Sequence, residues 1–439
     1  MGRGDIKKLL LQYSLPAIIG NIVTSVYHIV DSIFIGHGIG ALAISGMAVT
    51  FPIMNILAAF SMLIGVGGAT LLSIKLGQKD EASARDILWH VLIVNTINSV
   101  ILGALSLIFL DSILQLFGAT EALLPYARDF MSVFLYGIPI NFVFLGLNNQ
   151  MRVSGYPQKA MLSSFLTVAV NIALAPIFIF VLGWGMKGVA LATVLAQSTG
   201  LIWVLSHFVS KKSFLNFGNT CPKISHKMVR SIIAIGISPF LMSLVSSLVI
   251  SVINAGLIKH GGDLAVGAYG IINRVLILFI MIVIGLTMGM QPIVGYNYGA
   301  KQMSRAFKTL KYTALGATAI TTFGFLISQL FPRLIINMFT TDVELVDISI
   351  MGLRMATIMF PLVGAQIVIS NFFQSVGKVK ISIFLSLTRQ LIFLIPFLLI
   401  LPNYLRLRGV FLSMPSADFI AFFVSILTFL YQYKRMRMI

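Results

Sequence analysis

Long apolar runs follow one another along the whole 439-residue chain, separated by short polar segments. A helix of about 20 apolar residues crosses the roughly 30 Å hydrocarbon core of a bilayer. Twelve runs reach this length, at residues 9–35, 42–70, 87–110, 124–150, 160–183, 186–208, 231–256, 264–294, 309–331, 345–375, 381–401 and 409–433. Backbone groups in hydrocarbon must be hydrogen-bonded internally, and the short alternating strands of a membrane barrel do not occur. The pattern therefore predicts an all-α membrane protein with twelve transmembrane helices.

The second half of the chain repeats the first. Prolines recur at a nearly constant separation of 220 to 223 residues, as in the pairs Pro16 and Pro239, Pro139 and Pro361, and Pro176 and Pro396. Six helices per half is an even number, so both halves insert with the same orientation, and transporters built from such repeats bind substrate where the repeats meet. We expect two pseudo-symmetric six-helix bundles, with an N-lobe at 1–208, a cytoplasmic linker at 209–230 and a C-lobe at 231–439.

Composition and charge support a membrane protein and exclude other classes. The chain is 58% hydrophobic and 10% charged, against about 25% charged in soluble domains. Its net charge of +18 comes from Lys and Arg, of which 22 of 31 lie in alternate loops on one side and six in the opposite loops. The positive-inside rule then puts both termini in the cytoplasm, so the charge indicates topology and not nucleic-acid binding. No GxxxxGKS, HExxH or CxxC motif occurs in the sequence, and we expect neither an enzyme nor a bound cofactor.

Asp31 lies inside the first apolar run, in the sequence YHIVDSIFIG. No Lys or Arg occurs between Lys8 and Lys75, so no basic residue nearby in sequence neutralises this carboxylate. A carboxylate at a membrane-helix centre costs about 2.5–3.5 kcal/mol on insertion scales, and such residues commonly relay protons or ions. We expect Asp31 to carry function; the alternative is that it satisfies a local polar network.

Several segments resemble one transporter family, in the family's own order along the chain. They are YHIVDSIFIGHGIGALAISG at 27–46, NNQMRVSGYPQKAM at 148–161, MGMQPIVGYNYGAK at 288–301, the stretch 372–402 and GVFLSMPSAD at 409–418. The chain resembles the multidrug and toxic compound extrusion (MATE) family, in its MepA-like bacterial multidrug branch. The resemblance implies a V-shaped pair of six-helix bundles in the bacterial inner membrane. It also implies a monomer that exports amphipathic, often cationic drugs in exchange for H+ or Na+.

The resemblance also implies a cation-coupling network in the N-lobe. Tyr27, Asp31, Asn171 and Thr193 match the family's positions on helices 1, 5 and 6. Ala175 stands where the family has a second aspartate, directly before a proline. A Na+ site needs several hard oxygen ligands, whereas desolvation of a lone carboxyl group favours its protonated form. We therefore favour H+ over Na+ as the coupling ion, with Na+ at Asp31 as the alternative.

Other polar and methionine residues in the runs are candidates for the substrate path. His28 is a candidate proton partner of Asp31, because imidazole titrates near neutral pH; the alternative is a packing histidine. Methionine side chains repack easily and suit varied drugs, although each one alone fits a packing or lipid-facing role better. The candidate cavity residues are Gln150, Asn148, Met47, Met54, Met281 and Met288.

The C-lobe lacks an acid equivalent to Asp31, because Asn254 occupies that position of the repeat. For Arg274, Arg389 and Asp418 we expect structural pairing. The main alternative function is a lipid-linked oligosaccharide flippase of the related exporter superfamily. Those proteins carry several cations in the cavity for a pyrophosphate group, whereas this chain has few apparent buried cations and one buried acid.

Overall fold

A computed structural model describes residues 1–210, 213–218, 222–340 and 342–436, without the side chains at positions 28, 29, 41 and 263. Every regular element in these ranges is a helix, so the all-α fold class is confirmed. The first half contains α1 (Ile6–Gly38), α2 (Ala41–Gly77), α3 (Glu81–Ile108), α4 (Leu110–Leu116), α5 (Leu124–Tyr136), α6 (Ile138–Val153), α7 (Pro157–Pro176), a π-helical segment (Ile177–Val181) and α8 (Gly185–Val209).

The second half follows the same plan. Its elements are α9 (His226–Gly299), α10 (Met303–Leu330), α11 (Pro332–Asn337), α12 (Val343–Thr357), α13 (Phe360–Ser375), α14 (Val379–Leu387), a π-helical segment (Thr388–Leu394), α15 (Ile395–Leu405) and α16 (Leu407–Met436). α9 is two helices joined at Gly262, where φ is 66°. This left-handed conformation suits glycine, which has no Cβ to clash.

The number of membrane spans matches the apolar pattern. Ten of the described helices are long and apolar enough to cross a membrane, and the number reaches twelve when each of two bent pairs is one span. The bent pairs are α5 with α6, at 58°, and α12 with α13, at 51°. They coincide with the predicted fourth and tenth runs, which the sequence pattern treats as continuous helices.

Prolines explain both bends. Pro139 and Pro361 each lie in the first turn of the second helix of a pair, and they are equivalent in the repeat. Proline has no N–H to donate and its ring clashes with the preceding turn, so it starts a helix well and continues one poorly. The chain therefore ends one helix and begins another at the same place in each half.

Residue contacts divide the chain into two compact units. We call Ile19–Phe240 the N-unit, and Met1–Ile18 together with Leu241–Ile439 the C-unit. α1 and α9 thus each pass from one unit into the other, shortly after Pro16 and Pro239 respectively. The predicted lobes follow the sequence repeat, whereas these units follow contacts, and the lobe bounds stay a prediction.

The start of α1 is built into the C-unit. A Cβ on Gly289 would overlap Ser14, and the Ser14 hydroxyl donates to the Leu286 carbonyl at 3.3 Å. Arg305 holds the residues before α1, because its Nη2 donates to the carbonyls of Gly4 at 2.6 Å and Met1 at 3.0 Å. The first residues of the chain are therefore fixed to this unit by packing and by hydrogen bonds.

The start of α9 occupies the equivalent place in the N-unit. A Cβ on Gly67 of α2 would overlap the Ile232 carbonyl, and a Cβ on Gly236 would overlap the Leu63 carbonyl. Glycine at such positions lets two helix backbones approach closely. Gly67 and Gly289 are equivalent in the repeat, so each unit contains the same close helix crossing.

Candidate functional site

Asp31 is buried in the N-unit, with 4% of its surface exposed. α1 is continuous through this position and runs from Ile6 to Gly38 with no acidic residue in its first turn. The carboxylate atom Oδ1 makes no hydrogen bond with any atom of the described part of the chain. An ionised oxygen in that position is costly, so the site favours a bound proton or cation.

Thr193 is the centre of a hydrogen-bonded network that joins three helices. Its Oγ1 accepts a hydrogen bond from Nδ2 of Asn171 on α7 at 3.2 Å and donates to the Val189 carbonyl at 3.1 Å. The Tyr27 hydroxyl on α1 lies 3.2 Å from the same oxygen. Because the Thr193 proton goes to Val189, Tyr27 donates in this contact. The structure thus brings together Tyr27, Asn171 and Thr193.

Asp31 is placed one helical turn from this network. It follows Tyr27 by four residues, so both lie on one face of α1 with an axial rise of about 6 Å. Ala175 follows Asn171 by four residues on α7, is fully buried and belongs to the apolar core of the N-unit. Across the described residues, no group of three or more His, Cys, Asp and Glu side chains converges. The described site is therefore one buried carboxylate, with the hydroxyl-bearing Tyr27 one helical turn away on α1.

The His28 side chain lies outside the described residues, so its role as a proton partner stays a prediction. Residues elsewhere on α1 do not replace it, because no further acid or base follows Asp31 until His37 at the helix end.

Comparison with known proteins identifies the fold that carries this site. The MatE family model matches residues 16–177 and 234–400, which is most of the chain. The chain belongs to the MATE family. The multidrug export protein MepA of Staphylococcus haemolyticus (strain JCSC1435) is 27% identical over 421 residues, which cover 96% of this chain and 92% of that protein.

Solved MATE structures superpose on the full length. One is an outward-facing conformation of a multidrug resistance MATE family transporter of the MOP superfamily, with a TM-score of 0.93 and 26% identity. Another is a complex of the MATE multidrug transporter DinF-BH, with a TM-score of 0.92 and 35% identity. Each match covers 100% of this chain and 98% of the other. The protein is therefore a multi-pass membrane transporter and not an enzyme.

The amides predicted for the cavity of this MATE protein make contacts within the N-unit. Asn148 on α6 donates to the Ala160 carbonyl at 2.9 Å and to the Ser163 hydroxyl at 2.6 Å, which ties α6 to α7. Gln150 donates to the Gly65 carbonyl on α2 at 3.2 Å, and its buried Oε1 has no hydrogen bond to the described atoms. Asn148 thus has a clear packing role, and a cavity role for either amide stays a prediction.

The four candidate methionines lie in two different units. Met47 is buried in the apolar core of the N-unit, with Met54 packed against that core, and Thr50 contacts both sulfur atoms at 3.5 and 3.9 Å. Met281 and Met288 are half-buried on the second helix of α9, in the C-unit. Each pair therefore belongs to a different unit, and the contact of these methionines with drugs stays a prediction.

The C-unit holds one partly buried ion pair among its described residues. Arg389 Nε donates to Oδ1 of Asp418, which confirms the structural pairing expected for these two residues. The pairing expected for Arg274 does not occur within the described residues, because its side chain is exposed and no carboxylate oxygen there lies within 4.0 Å. Asn254 is half-buried on α9.

Sequence reasoning missed the polar contact beside this ion pair. Gln390 Nε2 donates to the Ser246 hydroxyl at 3.0 Å, which joins the π-helical segment to α9 across 144 residues of sequence. A glutamine inside an apolar run was the available signal, since an amide at membrane depth needs a partner.

Proposed function

We propose that this chain is a proton-coupled multidrug antiporter that exports amphipathic, cationic compounds by alternating access. Its membership of the MATE family supports export of drugs, and its relatives include proteins described as multidrug exporters. DinF-BH, a multidrug transporter of the same fold at 35% identity, supports a varied small-molecule cargo. The observation that carries the proposal is the isolated, buried carboxylate of Asp31 beside the Tyr27–Thr193–Asn171 network.

The number of oxygen atoms near Asp31 that are free to bind a cation favours H+ over Na+ as the coupling ion. A hard cation takes several oxygen ligands, and the second carboxylate of the family is replaced here by buried Ala175. Thr193 Oγ1 accepts two hydrogen bonds, so both of its lone pairs are already used. A proton needs only the one unpaired oxygen of Asp31, and binding it removes the cost of a buried charge.

The proposed cycle uses one charge change. Deprotonated Asp31 carries a negative charge in a low-dielectric surrounding, which attracts a cationic drug from the cytoplasm. Protonation of Asp31 from the outside removes this attraction, and the drug leaves outward. α1 carries both Asp31 and Pro16, so a bend near the proline is the proposed mechanical response to the loss of charge.

The topology belongs to the proposal as well. The excess of Lys and Arg in alternate loops supports cytoplasmic termini in a bacterial inner membrane. We further propose that the protein functions as a monomer, since each chain carries both halves of the repeat.

The test is drug-driven proton movement in everted membrane vesicles. In Na+-free buffer, ethidium added to vesicles with a respiratory pH gradient should collapse that gradient when the wild-type protein is present. Asp31→Asn removes the titratable proton while keeping the shape of the side chain, so the response should fall to that of vesicles without the protein.

Asp129→Asn is the matched control, because Asp129 is an exposed carboxylate paired with Lys187. Membrane levels of both variants are measured by immunoblot. If the Asp31→Asn variant is present at the normal membrane level and ethidium still collapses the pH gradient fully, the coupling role of Asp31 is ruled out. Activity that appears only with Na+ would overturn the ion assignment and leave drug export standing.

A further inference from the structure

A pocket of about 310 Å³ lies at the end of α8, in the N-unit and away from Asp31. It is lined by Lys159, Trp203, Ser206, His207, Ser210 and Ser213. Lys159 lies in the first turn of α7, and the serines at 210 and 213 belong to the polar segment that follows α8. The pocket therefore sits where two membrane helices meet the aqueous boundary.

A chain of hydrogen bonds fixes the protonation of His207. Lys159 Nζ lies 3.4 Å from His207 Nδ1, and an ammonium group can only donate, so Nδ1 accepts. The Ser213 hydroxyl donates to the Leu215 carbonyl at 2.8 Å and lies 3.1 Å from His207 Nε2, so Nε2 carries the proton and donates. His207 is thus a neutral ring between Lys159 and Ser213, and the lysine alone supplies the charge of this chain of groups.

The charge of Lys159 has no acidic partner. In the described part of the molecule, no carboxylate oxygen lies within 4.0 Å of its Nζ, which instead lies 5.1 Å from the centre of the Tyr156 ring. The ammonium group has three protons and gives one to His207, so two are free for a ligand. The N-terminus of α7 adds a partial positive charge at the same place.

Apolar surface continues from the pocket along the membrane. Ile202 and Val209 on α8 are 67% and 69% exposed, and Phe214 just beyond is 59% exposed. Trp203, which lines the pocket, is 38% exposed, and tryptophan is enriched at the level of lipid headgroups. A ligand with a negative head and apolar tails fits this arrangement better than a free anion, which would leave the apolar surface bare.

We propose that this pocket binds the phosphate group of an anionic phospholipid. Lys159 supplies the charge, and the acyl chains lie along Ile202 and Val209. The exposed Ser206 hydroxyl, which donates to the Trp203 carbonyl at 2.8 Å, can rotate to donate to the phosphate instead. Basic pockets between membrane helices recognise acidic headgroups in this way.

Lys211 and Lys212 follow Ser210 in the sequence and lie outside the described residues, so the proposed site rests on Lys159 alone for its charge. The site is independent of Asp31 and of the identity of the coupling ion.

Lipid titration of the purified protein in neutral detergent tests the proposal, with native mass spectrometry as the readout. Phosphatidylglycerol should bind saturably and more tightly than phosphatidylcholine. Lys159→Gln should weaken phosphatidylglycerol binding roughly fivefold, the loss expected for one lysine near an anionic headgroup. Lys159→Arg keeps the charge and should retain binding.

Lys187→Gln is the matched control, because Lys187 lies at the opposite end of α8 and is exposed and paired with Asp129 at 3.3 Å. Equal phosphatidylglycerol binding by the Gln variants at 159 and 187 would overturn the site. A third arm adds inorganic phosphate. If inorganic phosphate displaces phosphatidylglycerol no better than another salt at the same ionic strength, the result supports a lipid headgroup as the ligand. Saturable phosphate binding that depends on Lys159, without a preference for phosphatidylglycerol, would overturn the lipid assignment.

Discussion

At the scale of single residues, one threonine oxygen connects the helices around the candidate coupling site. Thr193 Oγ1 accepts hydrogen bonds from Tyr27 on α1 and Asn171 on α7. Its own proton is donated to the Val189 carbonyl within α8. All three contacts are polar and lie at membrane depth, where few alternative partners exist. The oxygen therefore fixes the position of the α1 face that also carries Asp31.

Thr193→Val removes this oxygen with little change in side-chain shape. Asn171 is buried and loses the acceptor of its Nδ2 group, which costs about 1–3 kcal/mol. We expect a lower melting temperature of the purified protein and weaker ethidium-driven collapse of the pH gradient in vesicles.

Thr199→Val is the control for that change. Thr199 lies on the same helix, and its hydroxyl donates to the Ala196 carbonyl of that helix. If both substitutions lower stability and transport equally, the connecting role of Thr193 is refuted.

The resemblance to the MATE family predicted Tyr27, Asn171 and Thr193, whereas Asp31 was predicted as an acid inside an apolar run. Tyr27 and Asp31 are one turn apart, and a polar group in an apolar run stands out. By contrast, the contact between Gln390 and Ser246 joins positions 144 residues apart and depends on a π-helical segment. Nothing local in the sequence fixes such a pairing, so it could only be found in three dimensions.

At the scale of elements, prolines and glycines shape the helices differently. Pro139 and Pro361 break one span of each half into two helices. Hydropathy alone gave these spans as single runs, because it measures apolar content and is insensitive to direction. Glycines act between helices instead, because the missing side chains of Gly67 and Gly289 let two helices approach closely.

Gly67→Ala and Gly289→Ala should each disrupt one of these crossings. The added methyl group would overlap the Ile232 carbonyl in one case and Ser14 in the other. Overpacking typically costs about 1–3 kcal/mol, so we expect lower melting temperatures by fluorescence-detected size-exclusion chromatography.

Gly270→Ala provides the comparison, because nothing lies within 4 Å of a Cβ at that helical position. Alanine also favours a helix over glycine there. An equal loss at Gly270 would refute close packing as the cause, because a methyl group there meets no neighbour and favours the helix.

At the scale of the whole molecule, the charge distribution makes a prediction about orientation. The single cysteine, Cys221, lies in the predicted cytoplasmic linker, outside the described residues. A membrane-impermeant maleimide should therefore label it in everted vesicles and leave it unlabelled in intact cells.

The reciprocal control is Lys187→Cys in a Cys221→Ser background. Lys187 lies at the beginning of α8, the end predicted to face outward, and its side chain is 60% exposed. This cysteine should be labelled in intact cells. Labelling of Cys221 in intact cells would reverse the assigned topology.

The long apolar runs predicted the helices and the number of membrane spans, because membrane depth limits the chain to few solutions. They did not predict that α1 and α9 change units shortly after Pro16 and Pro239. The unit that a helix start joins depends on the surface against which it packs. The apolar content of a run does not specify that surface.

The exchange has the form of a domain swap. Two identical six-helix chains that each inserted the start of the first helix into the other would place one segment against Gly67 and one against Gly289. Joining the two chains end to end would preserve that arrangement within a single polypeptide. Each half of the sequence therefore contributes the start of its first helix to the unit that holds the rest of the other half.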